Sequence, residues 1–297
     1  MSAGALETAP RFRSLLVGLD AEGLSDAAVD MALQCEKQLG ASLLAVHVSE
    51  HPGKVPLEAI QSAAVQHMRM LLRRRGEDGV RAERLVHVRR GSAGKCLLEE
   101  AQACQADILF LGPHRHRGWI DFGSTARTVL AHAPRGVWLQ PGPARPITSI
   151  LCPVDLSPDS LHALRTACVL ARHFGARVTA LHVVQSSAYF ISTWPEYPDL
   201  TAALSLDELR KQAEQEFHKT LARFEWEAIP HEQRLEEGEP VQRILQNAAE
   251  HDLIVLGSHG RTGLSGALLG NTAYSVMKRS DKPVLALRHP ERAYLIS

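Results

Sequence analysis

The stretch Asp252-Leu253-Ile254-Val255-Leu256-Gly257-Ser258-His259-Gly260, running on to Gly270-Asn271-Thr272, decides the reading of this 297-residue chain. Its apolar run is continuous rather than alternating, as a strand buried on both faces requires. Two residues separate Gly257 from Gly260, and nine separate Gly260 from Gly270. The pattern predicts a strand, a glycine-rich loop and a helix start. Glycine has no Cβ, so such a loop can bring backbone N–H groups close to phosphate oxygens. The helix that follows adds the positive end of its dipole. Asn271 is expected to cap that helix, Thr272 offers a hydroxyl, and Arg261 and His259 add donors. The competing reading is a glycine-rich turn that only reverses the chain. No Gly-Lys-Ser/Thr follows, so this is not a Walker A loop. The glycines also follow a late strand at the wrong spacing for a dinucleotide fingerprint.

The same stretch is written twice. Asp107-Ile108-Leu109-Phe110-Leu111-Gly112 matches Asp252 to Gly257. Ser14-Leu15-Leu16-Val17-Gly18-Leu19-Asp20 matches Ser149-Ile150-Leu151-Cys152-Pro153-Val154-Asp155, and Ala45-Val46-His47-Val48 matches Ala180-Leu181-His182-Val183. Each copy is too long for a solenoid unit, so the chain reads as a duplicated domain. The domains are expected at 1–142 and 147–297, joined by the stiff Pro141-Gly142-Pro143-Ala144-Arg145-Pro146. In the second copy, strands are predicted at 149–154, 177–184, 229–235, 252–257 and 283–288, with helical patterns between them. Ser157, Pro158 and Asp159 mark a helix start, and Gly175 its stop, as Gly40 does in the first copy. Strand–helix alternation implies an α/β fold with a parallel sheet, right-handed crossovers and ligands at the carboxyl ends of the strands. The second copy also carries an insert with Tyr189, Phe190, Trp194 and Tyr197. It is read as a lid or interface patch, or as packing onto the neighbouring domain.

On these residues the chain resembles the universal stress protein family in its tandem two-domain form. The likeness is most specific in Pro153-Val154-Asp155-Leu156-Ser157, in Leu181-His182-Val183-Val184, and in the segment Gly257 to Thr272. The last matches the family's ATP-binding pattern. The resemblance implies two Rossmann-like domains, each a five-stranded parallel sheet of order 3-2-1-4-5, with ATP between strands one and four. It would place Pro153, Val154 and Asp155 on the adenine and ribose side and Val183 against adenine. Leu256, Gly257 and Gly260 would line the path to the phosphates. Gly270, Asn271 and Thr272 would hold the terminal phosphates, with Mg2+ or another divalent ion between their oxygens. Asp155 has an alternative role, capping the next helix or bracing the turn after its strand. The family also implies pairing through the last strands, near Val284–Leu287 and Val137–Leu139. That would make the chain an intramolecular pseudo-dimer, and a homodimer is the further option.

The first copy departs from the pattern. Arg115 stands where Gly260 stands, Pro113 removes an N–H donor, and Gly112 to Gly123 is two residues shorter than Gly257 to Gly270. The first domain is therefore not expected to bind ATP in the family's manner. Arg115 and Arg117 could serve another anion, or the domain is a degenerate one kept for folding and assembly. His114 and His116 lack a carboxylate or cysteine at metal-ligand spacing.

Bulk composition narrows the class. Lys plus Arg and Asp plus Glu number 33 each, so no global field favours nucleic acid or an acidic membrane surface. There is no apolar run long enough for a membrane span. Met1–Pro10 has neither a basic n-region nor a long apolar segment, so no signal peptide is expected. The five cysteines form no C-x-x-C pair and suit reduced core thiols of a cytoplasmic protein. No nucleophile–base–orienter set stands out, and no enzyme is expected. His47 and His182 are read as structural histidines at a strand end. The expected function is regulatory, through adenine-nucleotide binding in the second domain. The alternative is an adaptor or chaperone-like protein whose partner is a protein or apolar ligand.

Overall fold

The computed structural model describes residues 10–20, 23–50, 53, 55–113, 123–184, 206–259 and 269–289. The first half runs β1 (Ser14–Leu19), α1 (Asp26–Leu39), β2 (Ser42–Ser49), α2 (Leu57–Arg74), α3 (Ala82–Leu85), β3 (Val86–Arg90), α4 (Ala93–Ala103), β4 (Ile108–Leu111), α5 (Ser124–His132) and β5 (Gly136–Leu139). The second runs β6 (Ser149–Pro153), α6 (Pro158–Phe174), β7 (Arg177–Val184), α7 (Leu206–Leu221), β8 (His231–Glu237), α8 (Pro240–Ala248), β9 (Leu253–Gly257), α9 (Asn271–Arg279) and β10 (Val284–Leu287).

Local chemistry explains where these elements begin and end. Ser157 caps α6 by accepting the Ser160 N–H at 3.2 Å, with Pro158 in the first turn. Gly40 and Gly175 end α1 and α6 at φ 64° and 67°, the left-handed region that a Cβ disfavours. Asp107 and Asp252 tie each central pair of strands at its amino end. Asp252 accepts the N–H groups of Thr148 and Ser149 at 2.9 and 3.0 Å. Asp107 does the same for Arg13 and Ser14.

The strands form one ten-stranded sheet in the order β3-β2-β1-β4-β5-β10-β9-β6-β7-β8. Each half thus has the order 3-2-1-4-5, parallel throughout. The halves meet at β5 and β10, which pair antiparallel with Leu285 opposite Trp138 and Leu287 opposite Gly136. Gly136 is small for a reason: a Cβ there would come within 3.0 Å of the Asp107 carbonyl and 3.3 Å of Leu285. The core crosses this seam on both faces. On one face Val17, Phe110, Trp138, Leu285, Val255 and Cys152 join one apolar cluster under α1, α2, α6 and α7. On the other, Leu16, Leu109, Val137, Ala286, Ile254 and Leu151 join a second under α4, α5, α8 and α9.

Two boundaries differ from expectation. The strand predicted at 229–235 lies at His231–Glu237. Its register is set by pairing with β7, because its own charged sequence has no apolar run. Asn271 is the first residue of α9, not its cap; Gly270 holds the cap position, and no side chain caps this end. The aromatic insert at 189–197 lies outside the described residues. Four cysteines are buried, Cys104 is half-buried, and none is paired with another. Burial raises the Cys168 thiol to about 12 and pushes Cys35 and Cys152 up as well.

Candidate functional site

In the second half, β6 lies between β7 and β9. The chain leaves β6 through α6 toward β7, while β9 sits on its other side. That is a topological switch point, and its crevice opens at the carboxyl ends of β6 and β9. Pro153 ends β6, and Val154 is buried, donating its N–H to Leu181 at 2.8 Å. The Val154 carbonyl faces Nδ1 of His182 at 2.6 Å. In the first half, Nδ1 of His47 meets the Leu19 carbonyl at 2.8 Å. Both histidines therefore pin the end of the second strand to that of the first, as a structural residue would.

Asp155 does brace its turn: its Oδ1 accepts the Ser157 N–H at 3.0 Å. Its counterpart Asp20 accepts from Leu24 at 3.0 Å and also from Ser25. Leu156, next in the chain, is held at φ 65°. A branched side chain in that region costs about 1–2 kcal/mol. The strain follows directly on the carboxyl end of β6, beside the switch point, and functional sites are where strained backbone tends to collect.

Gly257 has a packing role that the motif conceals. A Cβ on it would meet the Asp159 carbonyl carbon at 2.8 Å and the Ser160 nitrogen at 3.0 Å. Gly112 is confined in the same way, by the Leu24 carbonyl oxygen at 2.8 Å and the Ser25 Cα at 2.9 Å. The first glycine of each loop thus lets the fourth strand press against the start of the first helix. Leu256 is buried and joins the core beneath α8 and α9, while Val183 is half-buried at the end of β7.

Beyond Gly257 the loop is closed at its feet. Gly270 donates its N–H to the Ser258 carbonyl at 2.7 Å, and Ser258 donates its own to Leu287 at 2.7 Å. The Ser258 hydroxyl lies 2.9 Å from Nδ1 of His259, and both residues are buried. No motif signalled this clasp. It fixes where α9 starts. The first turn of α9 holds no acidic residue, and Asn271 and Thr272 there are exposed. Unshared N–H groups at an acid-free helix start are an anion-binding arrangement. Gly260 and Arg261 lie outside the described residues, as do Arg115, Arg117, His114 and His116.

The first half keeps an open crevice. A cavity of about 330 Å³ is lined by Gly18, Asp20, Val48, Gly112, Gly123 and Thr125, among others. Among the described residues no group of three or more His, Cys, Asp or Glu side chains could hold a metal ion. No helix among them is long and apolar enough to cross a membrane.

The family model for the universal stress proteins matches residues 11–141 and again 146–288. The chain belongs to the universal stress protein family. This universal stress protein carries two such domains in tandem. It is 35% identical over 147 residues to a universal stress protein of Methanocaldococcus jannaschii, covering 48% of this chain and 83% of that one. A universal stress protein of Mycolicibacterium smegmatis aligns over 92% of this chain and 96% of its own, at 24% identity. In architecture the molecule is similar to a universal stress protein from Archaeoglobus fulgidus, with a TM-score of 0.64 at 19% identity, covering 93% of this chain and 98% of the other.

Proposed function

We propose that this universal stress protein binds ATP in its C-terminal half, and that occupancy tunes its conformation or its choice of partner. The observation that carries the reading is the start of α9. It is uncapped, free of acid and set beside the switch point, and it follows the spacing Gly257-x-x-Gly260 and Gly270. Pro153, Val154 and Asp155 would line the adenine and ribose side, with Val183 against the base. Leu256, Gly257 and Gly260 would line the path to the phosphates, and Arg261 would add a donor. Gly270, Asn271 and Thr272 would take the terminal phosphates on backbone N–H groups, the Asn271 amide N–H and the Thr272 hydroxyl. A divalent ion such as Mg2+ would shield phosphate charge and needs no protein cage, since it keeps several waters and phosphate oxygens. The domain boundaries 1–142 and 147–297 belong to the same reading, with the first domain kept for assembly rather than for ATP.

The test is the protein's own cargo. Heat denaturation followed by chromatography of the supernatant should release about one adenine nucleotide per chain. Gly260→Arg, which copies Arg115 of the first half, should abolish that cargo. A protein empty of nucleotide even after incubation with ATP and magnesium would instead favour the adaptor reading.

A further inference from the structure

We propose that the N-terminal half carries a second small-molecule site, which adjoins the switch-point crevice and shares Asp20, His47 and Val48 with it, and which takes an amine-bearing cation with a compact apolar body. The site is a cleft of about 590 Å³ between the carboxyl end of β2 and the first half of α2. That volume lies within the range of about 300–1,000 Å³ typical of ligand pockets. Ala59, Ile60, Ala63 and Ala64 make its helical wall, and Val48 and Val55 add apolar surface. The small side chains of α2 leave the room. In the second half the equivalent histidine is covered: buried Phe217 of α7 stacks on His182 with ring centroids 5.4 Å apart. In the first half the equivalent histidine, His47, lines the open cleft.

The polar groups of the cleft select the charge. Nδ1 of His47 faces a carbonyl, so it must carry the hydrogen, and Nε2 of the neutral ring is left as an acceptor. Nε2 of His67 lies 2.7 Å from Oδ1 of Asp26, so that nitrogen is committed to the carboxylate. The second nitrogen of His47 has no partner among the described residues. Asp20 and Glu50 also line the cleft, and one Glu50 oxygen accepts the Ala93 N–H at 2.9 Å. No Lys or Arg is among the described lining residues. Acceptors beside an apolar wall reject a carboxylate or phosphate and suit the N–H donors of an ammonium group.

Titration calorimetry on the full chain at neutral pH tests this, with ATP saturating so that the C-terminal crevice takes no part, and with a substitution at Ala63, which lines the cleft and not the first-half crevice, separating the two. The probes are tryptamine and indole-3-propionate, which share a ring and differ in the sign of their charge. Tryptamine should bind saturably at one site per chain, and the carboxylate at least about tenfold more weakly. Glu50→Gln, which still accepts the Ala93 N–H, should weaken tryptamine several-fold. Ala63→Phe fills the cleft and should abolish binding while the chain stays folded. If that variant melts early, Ala59→Leu makes the same test with less bulk. Absence of saturable tryptamine binding, equal binding of the carboxylate, or binding that survives a folded cleft-filling variant would each overturn the proposal.

Discussion

Gly257 shows how one residue can serve two demands. The helix backbone of Asp159 and Ser160 occupies the place of its missing Cβ. Backbone cannot yield as a flexible side chain can. Gly257→Ala should therefore cost about 1–3 kcal/mol, read as a lower unfolding midpoint in denaturant, whether or not nucleotide is present. His251 sets a different residue-scale dependence. It is 2% exposed, with Nδ1 against the Asn247 carbonyl at 2.7 Å and Nε2 against the Thr179 hydroxyl at 2.9 Å. Burial lowers its pKa below the ordinary 6.5. The unfolded chain then binds the proton more readily than the folded one. The stabilisation is complete above about pH 6.5 and is lost as the pH falls toward the folded value. Unfolding free energies measured from pH 7.5 down to 5 should fall, and His251→Gln should flatten that slope. Asp252 acts in the same direction at lower pH. Burial works against its charge, but the hydrogen bonds from Thr148 and Ser149 outweigh it and hold its pKa below the usual carboxylate value.

Among the described residues, the turn between α7 and β8 alone places two successive non-glycine residues in the left-handed region. Glu227 and Ala228 both sit at positive φ, 46° and 60°, and Ile229 donates to the Trp226 carbonyl at 2.8 Å. Two successive left-handed residues are what Asn-Gly sequences supply in such turns. Relief of strain exceeds the added freedom of the unfolded chain, so Ala228→Gly should raise stability by about 0.5–1 kcal/mol, seen as a higher melting temperature. The turn also shows where sequence reading stops. β6, β7 and β9 announce themselves because their apolar runs are local, and the Ser157 cap is legible in three adjacent residues. The limits of β8 are not, since His231–Glu237 is charged and takes its place from β7. Asn271 was a plausible cap by type, yet the clasp between Ser258 and Gly270 moves the cap one residue earlier. The packing duty of Gly257 and the cleft under α2 depend on contacts between distant elements, and a motif carries no trace of them.

For the whole molecule the decisive feature is the seam. Every residue of β5 and β10 is buried. Separating the halves would expose an apolar strand edge ready to pair with another chain. A fragment spanning 147–297 should therefore form a dimer through β10, measured by light scattering, while Leu285→Asp in that fragment should leave it monomeric or insoluble. Within one helical layer the two halves also touch across the join, with Nδ1 of His173 on α6 lying 3.1 Å from the Gln38 carbonyl at the end of α1.

Because the central strands run in opposite senses, the two crevices open at opposite poles of the molecule. Guests in the two halves never meet. News of one can reach the other only through the shared rows of hydrogen bonds and the helices stacked over the join, so any cooperation between them is mechanical, and cutting the molecule at its waist would silence it.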